Sequence, residues 1–343
     1  MPNQSTNNEI NVIILAAGQG TRMNSSVSKV LHEVGNKTLI QHVIDAAKPL
    51  ANSINVIIGH NSESVKKSTQ HSLIKWVLQK NQLGTGHAVM QAIPNIKKDS
   101  MCLILYGDVP LIQTQTLLKL LEKANKTGFS LLTVIQNDPS GYGRIIRDSS
   151  KSIQAIIEHK DANTEELEID EINTGIMAIT GALLIKYLNQ LEPNNSQGEL
   201  YLTDIVEKAV KDNVTIASFI CENSAEVMGI NDKNNLAEAE RAHQLKNAEE
   251  LIESTKNKAA EIIANADKQA NVMIDTAKGL ASEEAEKIKA HAKSDLDQEV
   301  VKARNELKNQ VSSLVMQGVN SVLEKEVDSK AHKDMLSKLS QSL

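Results

Sequence analysis

After residue 230 this 343-residue chain contains no proline, no aromatic residue and only two glycines, Gly279 and Gly318. All six prolines lie at or before Pro193, and the one tryptophan, four tyrosines and two phenylalanines lie at or before Phe219. A segment stripped of helix breakers and bulky core formers reads as a long helix, whereas the part before it has the vocabulary of a globular domain. The composition therefore divides the chain near residue 240, into 1–240 and 241–343.

In the first part, short apolar runs alternate with longer amphipathic stretches. Asn11 to Ala16, Ile54 to Ile58 and Met101 to Tyr106 read as buried strands; Leu39 to Leu50 and Thr114 to Ala124 read as helices. This rhythm predicts an α/β fold, a mainly parallel sheet with helices on both faces, in which ligands collect at the carboxyl ends of the strands.

From about Leu245 the composition is Ala, Glu, Lys, Asn and Ile. Small apolar residues recur at 259, 263, 266, 270, 274, 277, 281, 285, 288, 292 and 296, then at 303, 307 and 314, with polar interruptions at Glu299 and Gln310. Steps of 4, 4 and 3 give an eleven-residue period, about 3.67 residues per turn, which keeps a seam continuous only in a right-handed supercoil. The seam is mostly alanine, so it buries little apolar area per turn and holds a partner loosely. Beyond Leu307 the pattern thickens through Val311, Leu314, Val315, Val319, Val322, Leu323 and Val327, which predicts a small helical tip.

The formal net charge of −6 leaves no basic excess for a nucleic-acid backbone or an anionic membrane surface. Cys102 and Cys221 fit neither a metal spacing nor a disulfide framework, and are expected to be buried. The polar start MPNQSTNNEI has no signal pattern, and no apolar run approaches the roughly 18 residues of a membrane span, so a cytoplasmic location is expected.

The chemistry is concentrated after the strands. The first runs into Leu15-Ala16-Ala17-Gly18-Gln19-Gly20-Thr21-Arg22-Met23, a small-residue loop whose backbone N–H groups can approach a phosphate, with Arg22 supplying charge. It is not a Walker A loop, because no Gly-Lys-Ser/Thr follows, and Met23 stands where a dinucleotide fingerprint needs its third glycine. Lys29 follows at a distance suited to neutralising a phosphoryl group in transfer. Asp108 ends the strand Met101 to Tyr106 after Gly107, where a hard cation such as Mg2+ would be held beside phosphates. Gln79 with Leu83-Gly84-Thr85-Gly86-His87 offers an amide and free backbone groups to a base edge. Three polar clusters, Gly141 to Arg144, Glu158 to Asp161 and Ile172 to Gly175, each adjoin an apolar run and can line a sugar pocket. His87 and His159 have no serine, cysteine or carboxylate spaced to make a triad, so they are read as structural.

Taken in order, LAAGQGTRM, SKVLH, WVLQ, QLGTGHA, LYGDVPL, GYGRI, EHKDA, EINTGI and GIN closely resemble the pyrophosphorylase half of the bacterial bifunctional N-acetylglucosamine 1-phosphate uridyltransferase/glucosamine-1-phosphate acetyltransferase. The resemblance covers roughly residues 10 to 235. It implies a Mg2+-dependent transfer from UTP to N-acetylglucosamine 1-phosphate, giving UDP-N-acetylglucosamine for cell-wall precursors. It also implies site roles. Leu15, Ala16, Ala17 and Gly18 hug the nucleotide; Arg22 and Lys29 act on its phosphates as the catalytic cations; Gln79, Gly84 and Thr85 read uracil. Gly143, Glu158 and Asn173 hold the sugar, Tyr106 and Gly107 complete the substrate set, and Asp108 with Asn231 binds Mg2+.

Two departures stand out. Ser28 replaces the family's usual proline before the lysine, which removes a backbone constraint. The family's second half, a left-handed β-helix of hexapeptide repeats with acetyltransferase activity and the trimer contact, has no counterpart, so acetyl transfer is expected to be lost. Instead, residues 245 to 343 resemble the cytoplasmic part of the ATP synthase b subunit, the peripheral stalk, through AEKIKAHAKSDLDQEVVKARNELKNQVSSLV and the ending KDMLSKLSQSL. That resemblance implies self-association through the helix and a tip able to dock on the synthase's δ subunit, without the family's membrane anchor. Three readings follow: an enzyme fused to an association module, a stator or assembly protein with an inert passenger domain, or a fusion with no evolved function. The intact Asp108, Lys29 and Arg22 favour the first.

Overall fold

The computed structural model describes residues 9–322 and 329–340, apart from 19, 24, 26, 60–61 and 70–71. The polar start at 1–8, and Leu323 and Val327 of the expected tip, lie outside the described residues. The chain forms two compact units, Met1–Leu251 and Ile252–Leu343.

In the first unit the strands are β1 (Ile10–Ala16), β2 (Glu33–Val34), β3 (Lys37–Thr38), β4 (Ser53–Ile58), β5 (Ile74–Leu78), β6 (Met101–Tyr106), β7 (Phe129–Ile135), β8 (Arg144–Arg147), β9 (Ile153–Ile157), β10 (Glu171–Thr180) and β11 (Ala217–Cys221). The helices begin with α1 (Leu39–Ala47), α2 (Ser62–Ser68), α3 (Thr85–Met90) and α4 (Thr114–Thr127). They continue with α5 (Thr164–Leu167), α6 (Gly181–Leu188), α7 (Asp204–Lys211) and α8 (Ser224–Val227). Last come α9 (Lys233–Val322), which begins in this unit, and α10 (Ser329–Ser340).

The main sheet runs β11-β7-β10-β6-β1-β4-β5, with β8 and β9 attached beside β10. Pairs β1–β4, β1–β6, β4–β5 and β7–β11 are parallel, while β10 runs antiparallel between β6 and β7, so the sheet is mostly parallel but mixed. Alternate residues of each strand feed two cores. Val12, Ile14, Leu103 and Leu105 pack with α1 and α4; Ile13, Cys102 and Ile104 pack with α3, α6 and α7. Both cysteines are buried, and burial pushes their thiols up, to about 12 for Cys102 and about 11 for Cys221.

The order β5-β4-β1-β6 places the topological switch between β1 and β6. From β1 the chain lays β4 and β5 to one side and then crosses to put β6 on the other. A crevice therefore opens beyond the carboxyl ends of β1 and β6. Leu15 pairs with Tyr106 there, and the Gly107 N–H donates to the Leu15 carbonyl at 2.9 Å.

Helix α9 starts at Lys233, well before the expected Leu245. Asp232 supplies the reason: its Oδ1 accepts from the N–H groups of Asn234 and Asn235, each at 2.9 Å, and caps the first turn. From Ile252 to Ser321 the helix leaves Ile262, Ile263, Ile274, Ile288, Leu296 and Leu307 exposed. Among the described residues no helix is long and apolar enough to cross a membrane.

Candidate active site

An open cleft of about 470 Å3 lies at the switch point, within the usual range of small-ligand sites. Leu15, Ala16, Ala17, Gly18, Lys29, Gln79, Gly84, Thr85, Tyr106, Asp108, Gly143, Glu158, Asn173 and Asn231 all line it. Gly107 lies beneath, where an added Cβ would come within 3.3 Å of the Leu15 carbonyl. Gln19 of the glycine loop lies outside the described residues.

The floor of the cleft carries a charged cluster. The Lys29 ammonium is ion-paired with Asp108 and donates to Asn231 Oδ1 at 3.2 Å. The Arg22 guanidinium donates to the same oxygen at 3.1 Å. Asn231 is brought to Asp108 by the backbone, because the Ile230 N–H donates to the Asp108 carbonyl at 2.8 Å. Residue Ser28 has φ −54° and ψ 137°, the region a proline would impose. The turn that presents Lys29 therefore keeps its shape without the proline.

Asp108 and Asn231 also suit the implied Mg2+. Each already turns a hard oxygen toward one cation, the Lys29 ammonium, and Mg2+ takes one or two protein oxygens while keeping water and phosphate ligands.

Along one wall, Gln79 is buried and its amide is committed, donating to the Gly84 carbonyl at 3.2 Å and lying 3.1 Å from His87 Nδ1. His87 Nε2 lies 3.3 Å from the Gln91 amide, so both ring nitrogens meet glutamines and neither faces a nucleophile. Gln82 adds a contact from its amide to the Ala17 carbonyl at 2.6 Å, bracing the end of β1.

The other wall is acidic and aromatic. Burial pushes the Glu158 carboxyl above its ordinary range, against the Thr203 hydroxyl that donates to it at 3.1 Å. Burial likewise raises the Tyr106 phenol, and Glu158 and Asp108 add to the effect. Asp204, at the start of α7, is pushed up to about 6 by burial, with Glu158, Glu207 and Asp161 contributing against Lys208. A bulge in β10 between Asn173 and Met177 places Gly175, with φ +79°, under the Tyr106 ring, where an added Cβ would lie 2.3 Å from the ring. The Gly141–Gly143 turn is held by fully buried Arg144, which donates to the carbonyls of Pro139 at 2.7 Å, Tyr142 and Leu167. Burial lowers the pKa of that guanidinium, and its Nε has no hydrogen-bond partner among the described residues.

Gln197, Glu199, Tyr201, Thr203 and Val227 also line the cleft and were not singled out by the sequence. The 197–203 segment is tied across by Lys160 to Gln197 at 2.8 Å and by the Ser196 N–H to Asp161 at 3.1 Å. Its signal in the sequence is faint, a polar loop with Gly198 before an apolar turn.

Residues 12–172 match the family described as MobA-like NTP transferase domain, and residues 227–324 match the family described as ATP synthase B/B′ CF(0). The chain is thus similar to an NTP transferase family over its first part and to an ATP synthase B family over its later part. Among curated relatives it is 53% identical over 237 residues to the bifunctional protein GlmU of Vesicomyosocius okutanii, covering 69% of this chain and 53% of that one. The GlmU proteins of Ruthia magnifica and Idiomarina loihiensis are 50% and 46% identical, each covering 71% of this chain and 54% of theirs. The chain thus spans about half the length of the curated relatives it matches. In fold, the chain is similar to a UDP-glucose pyrophosphorylase complexed with UDP-glucose, with TM-score 0.57 at 18% identity over 69% of this chain and 99% of that one. A Bacillus anthracis chain named as a glucose-1-phosphate thymidylyltransferase gives 0.53 at 21% identity, over 68% and 94%. Over this first part the chain is similar in sequence to NTP transferases and shares the fold of the two solved chains.

Proposed function

We propose that the first unit transfers a uridylyl group from UTP to N-acetylglucosamine 1-phosphate, releasing pyrophosphate. The observation that carries the reading is the meeting of Lys29, Arg22, Asp108 and Asn231 at the switch point, between the small-residue loop after β1 and the sugar-sized wall of Gly143, Glu158 and Asn173. A phosphate oxygen of the sugar substrate attacks the α-phosphorus of UTP in line. The bond from that phosphorus to the bridging oxygen breaks, and pyrophosphate leaves with the electron pair, so no protein nucleophile is needed. Leu15, Ala16, Ala17 and Gly18 hold the nucleotide by backbone approach, and Gln79, Gly84 and Thr85 face the base. Tyr106 and Gly107 shape the floor between the two substrates. Lys29 and Arg22 neutralise the growing charge. Asp108 and Asn231 would hold Mg2+, which when bound draws charge from the phosphate oxygens.

Pyrophosphate release tests this directly. UTP with N-acetylglucosamine 1-phosphate and Mg2+ is expected to be the best substrate pair, ahead of dTTP and of glucose 1-phosphate. A folded chain that releases none, or that prefers glucose 1-phosphate, overturns the reading.

For the second unit, self-association through the 259–314 seam is supported by its exposed Ile263, Ile274, Ile288, Leu296 and Leu307. Sedimentation of the full chain is expected to show a dimer that dissociates on dilution. A monomer at every concentration removes this proposal. A stator-like role is a second reading, supported by the match of 227–324, and co-sedimentation with an ATP synthase δ subunit tests it.

A further inference from the structure

The root of α9 lies inside the first unit and touches the charged cluster from two sides. The Asn231 N–H donates to Asn235 Oδ1 at 3.2 Å, so the side chain of the first helical turn fixes the backbone that aims the Asn231 carboxamide. On the other side, Met23, next to Arg22, is buried in a small core with Val34, Leu39, Ile230 and Ala239, against which Leu236 packs. Both partners of the Arg22–Asn231 hydrogen bond are therefore held by the same two turns of helix.

The third turn is locked in place as well. Gly35 and Asn36, with φ of 55° and 61°, make the tight turn between β2 and β3. The Gly35 N–H donates to Glu240 Oε2 at 2.8 Å, and a Cβ on Gly35 would come within 2.2 Å of His243 Nε2. His243 in turn stands edge-on to His42, with ring centroids 5.4 Å apart. The hairpin that receives the helix begins four residues after Lys29, so both side chains that donate to Asn231 Oδ1, Arg22 and Lys29, adjoin segments that the helix root braces.

We propose that the first three turns of α9 are a positioning element of the transferase site, with Asn235 the residue that aims Asn231. The inference rests on the transfer reaction proposed above. Asn235 touches no substrate; it acts by fixing the Asn231 backbone, from which the carboxamide donates through Nδ2 to the Gly229 carbonyl at 3.4 Å and turns Oδ1 toward Arg22 and Lys29. An acceptor at position 235 is all that the geometry demands, so Asp serves in place of Asn and Ala does not.

The test compares the full chain with Asn235→Ala and Asn235→Asp. Losing one hydrogen bond of ordinary strength predicts an effect of about three- to ten-fold. Asn235→Ala is expected to raise the Mg2+ concentration for half-maximal rate by that factor and to lower kcat, with KM for N-acetylglucosamine 1-phosphate within about two-fold of the parent. Binding of Mn2+ in the presence of UTP alone, followed by electron paramagnetic resonance, is expected to weaken in parallel without any turnover. Asn235→Asp restores both readouts. An active parent with an Asn235→Ala variant unchanged in Mn2+ affinity overturns the inference alone. A variant that loses metal affinity, sugar affinity and thermal midpoint together also overturns it, since that is general damage. A parent that releases no pyrophosphate removes the transfer reading and this inference with it.

Discussion

Lys29→Met is expected to slow pyrophosphate release by about 10²- to 10³-fold, with most of the loss in kcat. In the proposed transfer the ammonium stands where negative charge accumulates as the α-phosphoryl group moves, and no other side chain reaches both Asp108 and Asn231 among the hydrogen bonds described. Its ground-state pairing with Asp108 is replaceable, because a cation held by Asp108 and Asn231 would free the ammonium to turn toward phosphate. The thermal midpoint measured in Mg2+ and UTP should consequently move little, even though the variant leaves a mostly buried carboxylate without its partner. Lys29→Arg is not a rescue: the fork of a guanidinium does not fit a point between one carboxylate oxygen and one carboxamide oxygen. A Lys29→Met variant with kcat within about three-fold of the parent would remove Lys29 from the catalytic set and leave Arg22 as the sole working cation.

The parts of this molecule that could be read from sequence are those whose cause is local. A parallel strand buried on both faces is near-continuously apolar, so β1, β4 and β6 appeared as runs rich in Val, Ile and Leu, interrupted by Asn11 and Asn55, which hydrogen-bond to each other, and the residues just beyond them were placed by the rule that ligands gather at strand ends. Arg22, Lys29, Asp108 and Gln79 follow from that rule together with their chemistry. Gln197, Glu199, Tyr201 and Thr203 do not, because tertiary contacts alone bring their segment to the cleft: Lys160 and Asp161 bind one end, and Gly86 and Thr85 of α3 hold the other. The root of α9 was hidden for a related reason. Asp-Lys-Asn-Asn has the composition of a loop, and a cap at Asp232 plus packing of Leu236 and Ala239 on Met23 make it helical, where propensity alone would not. In the second unit the long helix was legible from its composition, and α9 runs through to Val322.

Gly84→Ala tests the join between α3 and the 197–203 segment, and should be a strongly damaging single-methyl change. Gly84 has φ 110° and ψ 173°, a region that essentially only glycine occupies. Its missing side chain also makes room for another backbone: an added Cβ would sit 2.5 Å from the Leu200 carbonyl oxygen and 2.9 Å from its nitrogen. That backbone cannot step aside, because the Leu200 N–H donates to Leu83 and the Leu200 carbonyl accepts from Gly86, both at 2.8 Å, while the Leu202 N–H donates to Thr85 Oγ1 at 3.0 Å. Strain and lost hydrogen bonds together predict a destabilisation of about 3 kcal/mol or more, read as a lower urea midpoint. Displacing Leu200 also carries Tyr201 and Thr203 away from Glu158, so KM for the sugar phosphate should rise in whatever protein remains folded. Gly141→Ala separates conformational strain from crowding: it too has a positive φ, +82°, but nothing lies within 4 Å of its added Cβ. It should cost only about 1 to 2 kcal/mol. Equal losses in the two variants would mean that backbone strain alone sets the cost, and that the close approach of Leu200 to Gly84 contributes nothing to holding the sugar wall in place.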